Sequence, residues 1–180
     1  MAFSDPQSTH NPTTGVAIPA AWGDAVRDAI MGTHGRPRVR THKNLTQSFS
    51  NGSLTAIQWD AELTDSHGMH STVSNISRLT IPTGWDGFWA FGVDLGWDAN
   101  TNGERQLQLL VNGAVKLAEI DDDPTTSGLC AQAFAVGWAA VAGDYFEVYA
   151  KQTSGGSLGI SPDGYMPTFW ACQLTGSNVG

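Results

Sequence analysis

Three groups of side chains in this sequence stand close enough together to do chemistry. The densest is the acidic run Glu119-Ile-Asp-Asp-Asp-Pro124. Calcium takes about six to eight oxygen ligands, and a carboxylate-rich turn is a common source of them. This run lacks the alternating ligand spacing of a calcium loop, and three adjacent Asp cannot all face one point. It reads as a solvated loop, with Ca²⁺ as the alternative. The second group is Asp60, Asp65, His67 and His70. The two imidazoles could reach one metal across a turn, but no third ligand stands with them. Asp65-Ser-His-Gly also suits a turn in which an Asp side chain bonds the backbone just ahead of it. The third group is Trp85 and Trp97, each followed by Asp in a Gly-containing segment. An aromatic plane beside a carboxylate can stack on a sugar and accept its hydroxyls, so these two are the candidate glycan contacts.

Signatures of catalysis are missing. The sequence has no Gly-x-Ser-x-Gly, no His-Glu-x-x-His and no phosphate-binding glycine loop. Its carboxylates are plentiful, but their spacing nominates no glycosidase pair. The chain therefore reads as non-enzymatic and free of cofactors. Cys130 and Cys172 lie in apolar runs and read as buried reduced thiols, since two cysteines make no disulfide framework.

Charge is unevenly placed along the 180 residues. Residues 1–43 carry five Lys/Arg against three Asp, a net of +2, while residues 44–180 carry four against fourteen acidic residues, a net of −10. An acidic body repels phosphate, so nucleic acid is not an expected partner. The cations Arg36, Arg38, Arg40 and Lys43 form a basic linker suited to an acidic protein neighbour. No window approaches the apolar length of a membrane span. The first residues show no basic-then-apolar pattern, so no signal peptide is expected.

These groups must be positioned by short strands. Only 14% of residues are charged, with 21 Gly and 7 Trp, a composition suited to tight turns and large buried contact surfaces. Residues 1–17 read as an extended arm. Residues 19–31 read as a short helix, opened by Pro19 and carrying Trp22, Val26 and Ile30 on one stripe, with Gly32 as its stop. From residue 44 the apolar period becomes two. Strands are expected near 44–50, 54–60, 74–81, 87–97, 105–111, 114–120, 129–140, 144–151 and 166–174, separated by Asn-Gly, Asp-Gly and Gly-Gly turns. Nine short strands mean a β-sandwich or barrel. Segments 88–93 and 134–141 are apolar on both parities, so each must be covered on both faces, and a second copy of the chain is the simplest cover.

In order along the chain stand an Ile-Pro-x-Gly lead-in (81–84), an aromatic strand (Phe88, Trp89, Phe91), a Val-Asn-Gly hairpin (111–113), an Ala-Gly-Asp start to the penultimate strand (142–144) and an aromatic last strand (Phe169, Trp170). This series resembles the C1q/TNF-like jelly-roll superfamily over roughly residues 44–176. Segments 11–28 and 57–70 resemble phage virion structural proteins, in which a Trp-x-x-x-Val-Arg-Asp helix (here Trp22, Val26, Arg27, Asp28) precedes a β-domain. The resemblance implies an all-β jelly-roll sandwich (44–180) behind an anchoring arm (1–43), and a homotrimer. It implies a virion protein assembled in the host cytoplasm: a capsid decoration protein or, alternatively, a minor tail protein that attaches to host-surface glycans. On this reading Trp22, Val26, Arg27, Ile30, Arg36, Arg38 and Arg40 bind capsid or tail proteins. Phe88, Trp89, Phe91, Phe134, Trp138, Tyr145 and Phe169 fill the core and trimer interface, and Trp85 and Trp97 meet a glycan.

Overall fold

The computed structural model describes residues 35–163 and 165–176, and the sandwich unit begins at Pro37. The helix expected over 19–31, with Trp22, Val26, Arg27 and Ile30, lies outside the described residues. Within them the regular structure is all strand: β1 Arg38–His42, β2 Gln47–Phe49, β3 Thr55–Ala56, β4 Ala61–Asp65, β5 Arg78–Thr80, β6 Gly87–Trp97, β7 Arg105–Val111, β8 Val115–Asp122, β9 Cys130–Ala140, β10 Tyr145–Gln152, β11 Leu158–Ile160 and β12 Thr168–Gly176.

Two antiparallel sheets face one another. Sheet A runs β2-β11-β6-β12-β1-β4, with β9 on the free side of β6. Sheet B runs β3-β10-β7-β8, with β5 also on β10. Each expected strand overlaps an observed one, with β8, β10 and β12 ending one or two residues later than expected. The structure adds β1, β4 and β11. β1 corrects the reading of the stretch that holds Arg36, Arg38, Arg40 and Lys43 as a basic linker: Arg38 and Arg40 are exposed while Val39 and Thr41 are buried at 2% and 0%. That is a period-two strand whose outward positions happen to be arginine. β8 runs on to Asp122, so the start of the acidic run is strand and not loop.

The core forms where alternate residues of the two sheets meet. Trp89, Phe91, Val93, Leu95 and Trp97 of β6 point inward with Leu107, Leu109 and Val111 of β7 and Phe146, Val148 and Ala150 of β10. The Phe91 and Phe146 rings stack across the two sheets with centroids 3.8 Å apart. Burying each such side chain stabilises the fold by about 1.5–3 kcal/mol. The β7–β8 hairpin turns where the sequence indicates. Asn112 and Gly113 both take positive φ, 54° and 67°, between the paired Val111 and Val115.

Candidate functional site

The outward positions of β6 are Phe88, Ala90, Gly92, Asp94 and Gly96. Register sets Ala139, Gly137, Ala135, Ala133 and Ala131 of β9 beside them on one side, and Cys172, Trp170 and Thr168 of β12 beside Ala90, Gly92 and Asp94 on the other. All five β9 residues are exposed. Glycine is required at two of these places. A β-carbon at Gly92 would overlap the Trp170 indole, and one at Gly137 would overlap the Phe88 ring. The aromatic rings therefore lie against bare backbone and build an apolar surface, with Phe88 43% and Leu174 47% exposed. The one carboxylate among these positions, Asp94, is already engaged, accepting hydrogen bonds from the Thr168 hydroxyl and, at 3.2 Å, from the Tyr165 hydroxyl. Beyond β12, charge appears at β1, where Arg38 and Arg40 are exposed.

A second apolar strip adjoins this face. β8 pairs only with β7 and β9 only with β6, so both are edge strands. Between them Val115 and Trp138 remain 51% and 37% exposed, with Leu117, Phe134 and Val136 half-buried against the core.

The other sequence-selected residues fall as follows. Trp89, Phe91 and Phe169 are fully buried core; Phe88 lies on the outer face of sheet A; Phe134 and Trp138 lie on the edge strip. Tyr145 belongs to sheet B, with the Arg78 guanidinium 3.9 Å over its ring. Trp97 is not a surface platform. It is 4% exposed, packs edge-on to Phe49 and donates its indole N–H to the Gln132 side chain at 2.9 Å, a correction to its reading as a glycan contact. Trp85 is half-buried, with its ring edge-on to His67 at 4.9 Å.

The candidate metal groups are taken up in other bonds. Asp65 accepts the backbone N–H of His67 (3.1 Å) and of His70 (2.8 Å), the turn its sequence suits. His70 is buried between Glu62 (2.8 Å) and the Ile76 carbonyl (3.1 Å). Asp60 pairs with Lys43 at 2.9 Å. Burial pushes the Asp60 carboxyl up, but the Lys43 ammonium and the backbone N–H groups of Asn44 and Leu45 outweigh it and hold the carboxyl below its ordinary range. In the acidic run Glu119 bonds Lys116, Gln106 and Gln108, and Asp122 accepts from Gln132 on the opposite side of the strand. Among the described residues no three His, Cys, Asp or Glu converge as a metal site. Cys130 and Cys172 are unbridged, and burial pushes both thiols up, which keeps them protonated.

Solved structures share this strand arrangement. The globular domain of zebrafish complement 1qA superposes with a TM-score of 0.56 at 13% identity, over 78% of this chain and 98% of that one. Eiger TNF from S. frugiperda gives 0.56 at 10% identity, over 79% and 94%. Murine APRIL gives 0.56 at 12% identity, over 77% and 99%. The fold is a C1q/TNF-like jelly roll. Those neighbours are matched over nearly their whole length, so the likeness belongs to the complete jelly roll, while identities this low carry the fold alone. No protein-family model matches the chain, and no curated protein matches it in sequence.

Sequence reasoning missed the outer-face alanines. The signal was present in Ala131-x-Ala-x-Ala-x-Gly-x-Ala139, a period-two row of small residues hidden inside a run apolar on both parities.

Proposed function

We propose that this chain is a non-enzymatic structural protein of a phage virion, a trimeric decoration protein of the head surface whose residues 1–43 attach it to the particle. The observation that carries the self-association is the outer face of sheet A. A broad apolar surface on a folded protein marks a contact with another macromolecule. Here the apolar face adjoins a different apolar strip, the β8–β9 edge. Two unlike surfaces that join head to tail form a ring when the rotation between copies closes, whereas a twofold dimer would match one surface to itself. Such a ring also hides the free edges of β8 and β9 from unwanted pairing. The count of three and the virion role rest on the resemblances of segments 11–28, 57–70 and 81–170.

Three arms held on one trimer bind together, so weak contacts per arm multiply into firm attachment. Antibody labelling of intact particles tests the role. Label over the head supports decoration. Label confined to the tail tip replaces it with the minor tail reading, and unlabelled particles overturn both. Trp22→Ala is expected to leave the trimer assembled in solution and absent from purified particles, as read by sedimentation and by immunoblot.

A further inference from the structure

At one end of sheet A a pocket of about 420 Å³ opens between the end of β6, the start of β9 and the segment before β12. It is large enough for a small ligand. Register sets it well away from the start of β1. Arg38, where β1 begins, sits opposite Cys172, which faces Ala90. Trp97, in the pocket wall, is seven residues further along β6, about 23 Å away.

The lining combines one exposed aromatic plane with acceptors; the other aromatic in the wall, Trp97, is buried at 4% exposure. Tyr165 is 46% exposed, its ring lies over Gly96, where no side chain displaces it, and its hydroxyl donates to Asp94 at 3.2 Å. Asp98 and Asp163 are exposed in the wall. Asp98 is held by its backbone N–H on the Gly159 carbonyl at 2.9 Å, and a side chain at residue 159 would strike its carboxylate. Ser161 accepts from the Asp163 N–H (3.2 Å) and from the Thr46 hydroxyl (3.3 Å), which leaves its own O–H to donate. Leu129, 60% exposed, supplies an apolar wall.

These groups select a ligand class. The lining has no Lys, Arg or His beside its two carboxylates, so an anion is repelled. A quaternary ammonium seeks an aromatic cage, and a single exposed ring is not one. A sugar ring presents C–H groups to an aromatic plane and hydroxyls to carboxylate acceptors, and matches both. We propose that this pocket binds a neutral sugar ring, with Tyr165 stacking on it, Asp98 and Asp163 accepting its hydroxyl protons and Ser161 donating to a ring or hydroxyl oxygen. The site lies within one protomer, so its test stands apart from that of the virion role.

Saturation-transfer NMR on the full-length chain is the test, with malto-, cello- and chito-oligosaccharides as neutral probes, sialyllactose as the acidic probe and choline as the cationic one. Transfer to at least one neutral series is expected, with none to sialyllactose or choline. Affinity should fall about tenfold or more in Tyr165→Ala and in Asp163→Asn, and survive in Tyr165→Phe, which keeps the plane. Both loop positions are exposed, and a thermal melt of each variant checks that it is folded. The proposal is overturned by no transfer from any neutral sugar, by transfer that survives both substitutions, or by choline or sialyllactose binding in its place.

Discussion

At the scale of single residues, several charged groups among the described residues hold loops in place. Arg105 is fully buried, and its guanidinium bonds the carbonyls of Asn100, Asn102, Gly103 and Glu104 at 2.9–3.2 Å. Arg105→Met would leave four carbonyls without that donor, so a loss of about 3 kcal/mol is expected, measured by urea unfolding. Asp60 makes a pH-dependent contribution. Its carboxyl lies below the ordinary 3.8 when folded, so its stabilisation is present above that value and is lost as pH falls through the lowered one. Asp60→Asn should therefore flatten the acid limb of stability against pH, with the two curves differing least at the lowest pH. None of these roles was legible in sequence, because a bond from Arg105 to a loop or from Lys43 to Asp60 exists only once the strands have placed them.

At the scale of elements, far more was legible. Alternation and Asn-Gly turns located nine strands, since both reflect local backbone geometry. The three additions are strands whose pattern was masked: β1 by outward arginines, β4 by polar residues on three of its five positions, and β11 by its three-residue length. Alternation also could not tell the core tryptophan Trp97 from the surface ring of Tyr165, because both stand beside glycine and aspartate and only packing separates them. Gly92 illustrates what the element requires of one position. Gly92→Ala should force the Trp170 indole off the sheet and cost about 1–3 kcal/mol, visible as a lower midpoint in calorimetry.

At the scale of the whole molecule, sheet A is proposed to carry two jobs along its length. Its middle, around Ala90, Trp170 and Ala135, is the apolar face proposed to meet another copy; its end, around Tyr165 and Asp98, carries a polar-rimmed pocket. The folded jelly roll does not need the outer face for its own core, because the inward residues of β6 are buried without it. A charge placed on that face should therefore break assembly and leave the sandwich intact.

Analytical ultracentrifugation of the full chain beside Ala135→Arg tests this most directly. The account predicts a wild-type species of about 57 kDa, three times the 19.1 kDa chain, and a variant that sediments as a monomer with an unchanged β-sheet circular dichroism spectrum. A wild-type monomer at micromolar concentration, or a variant that still forms the trimer, would contradict it.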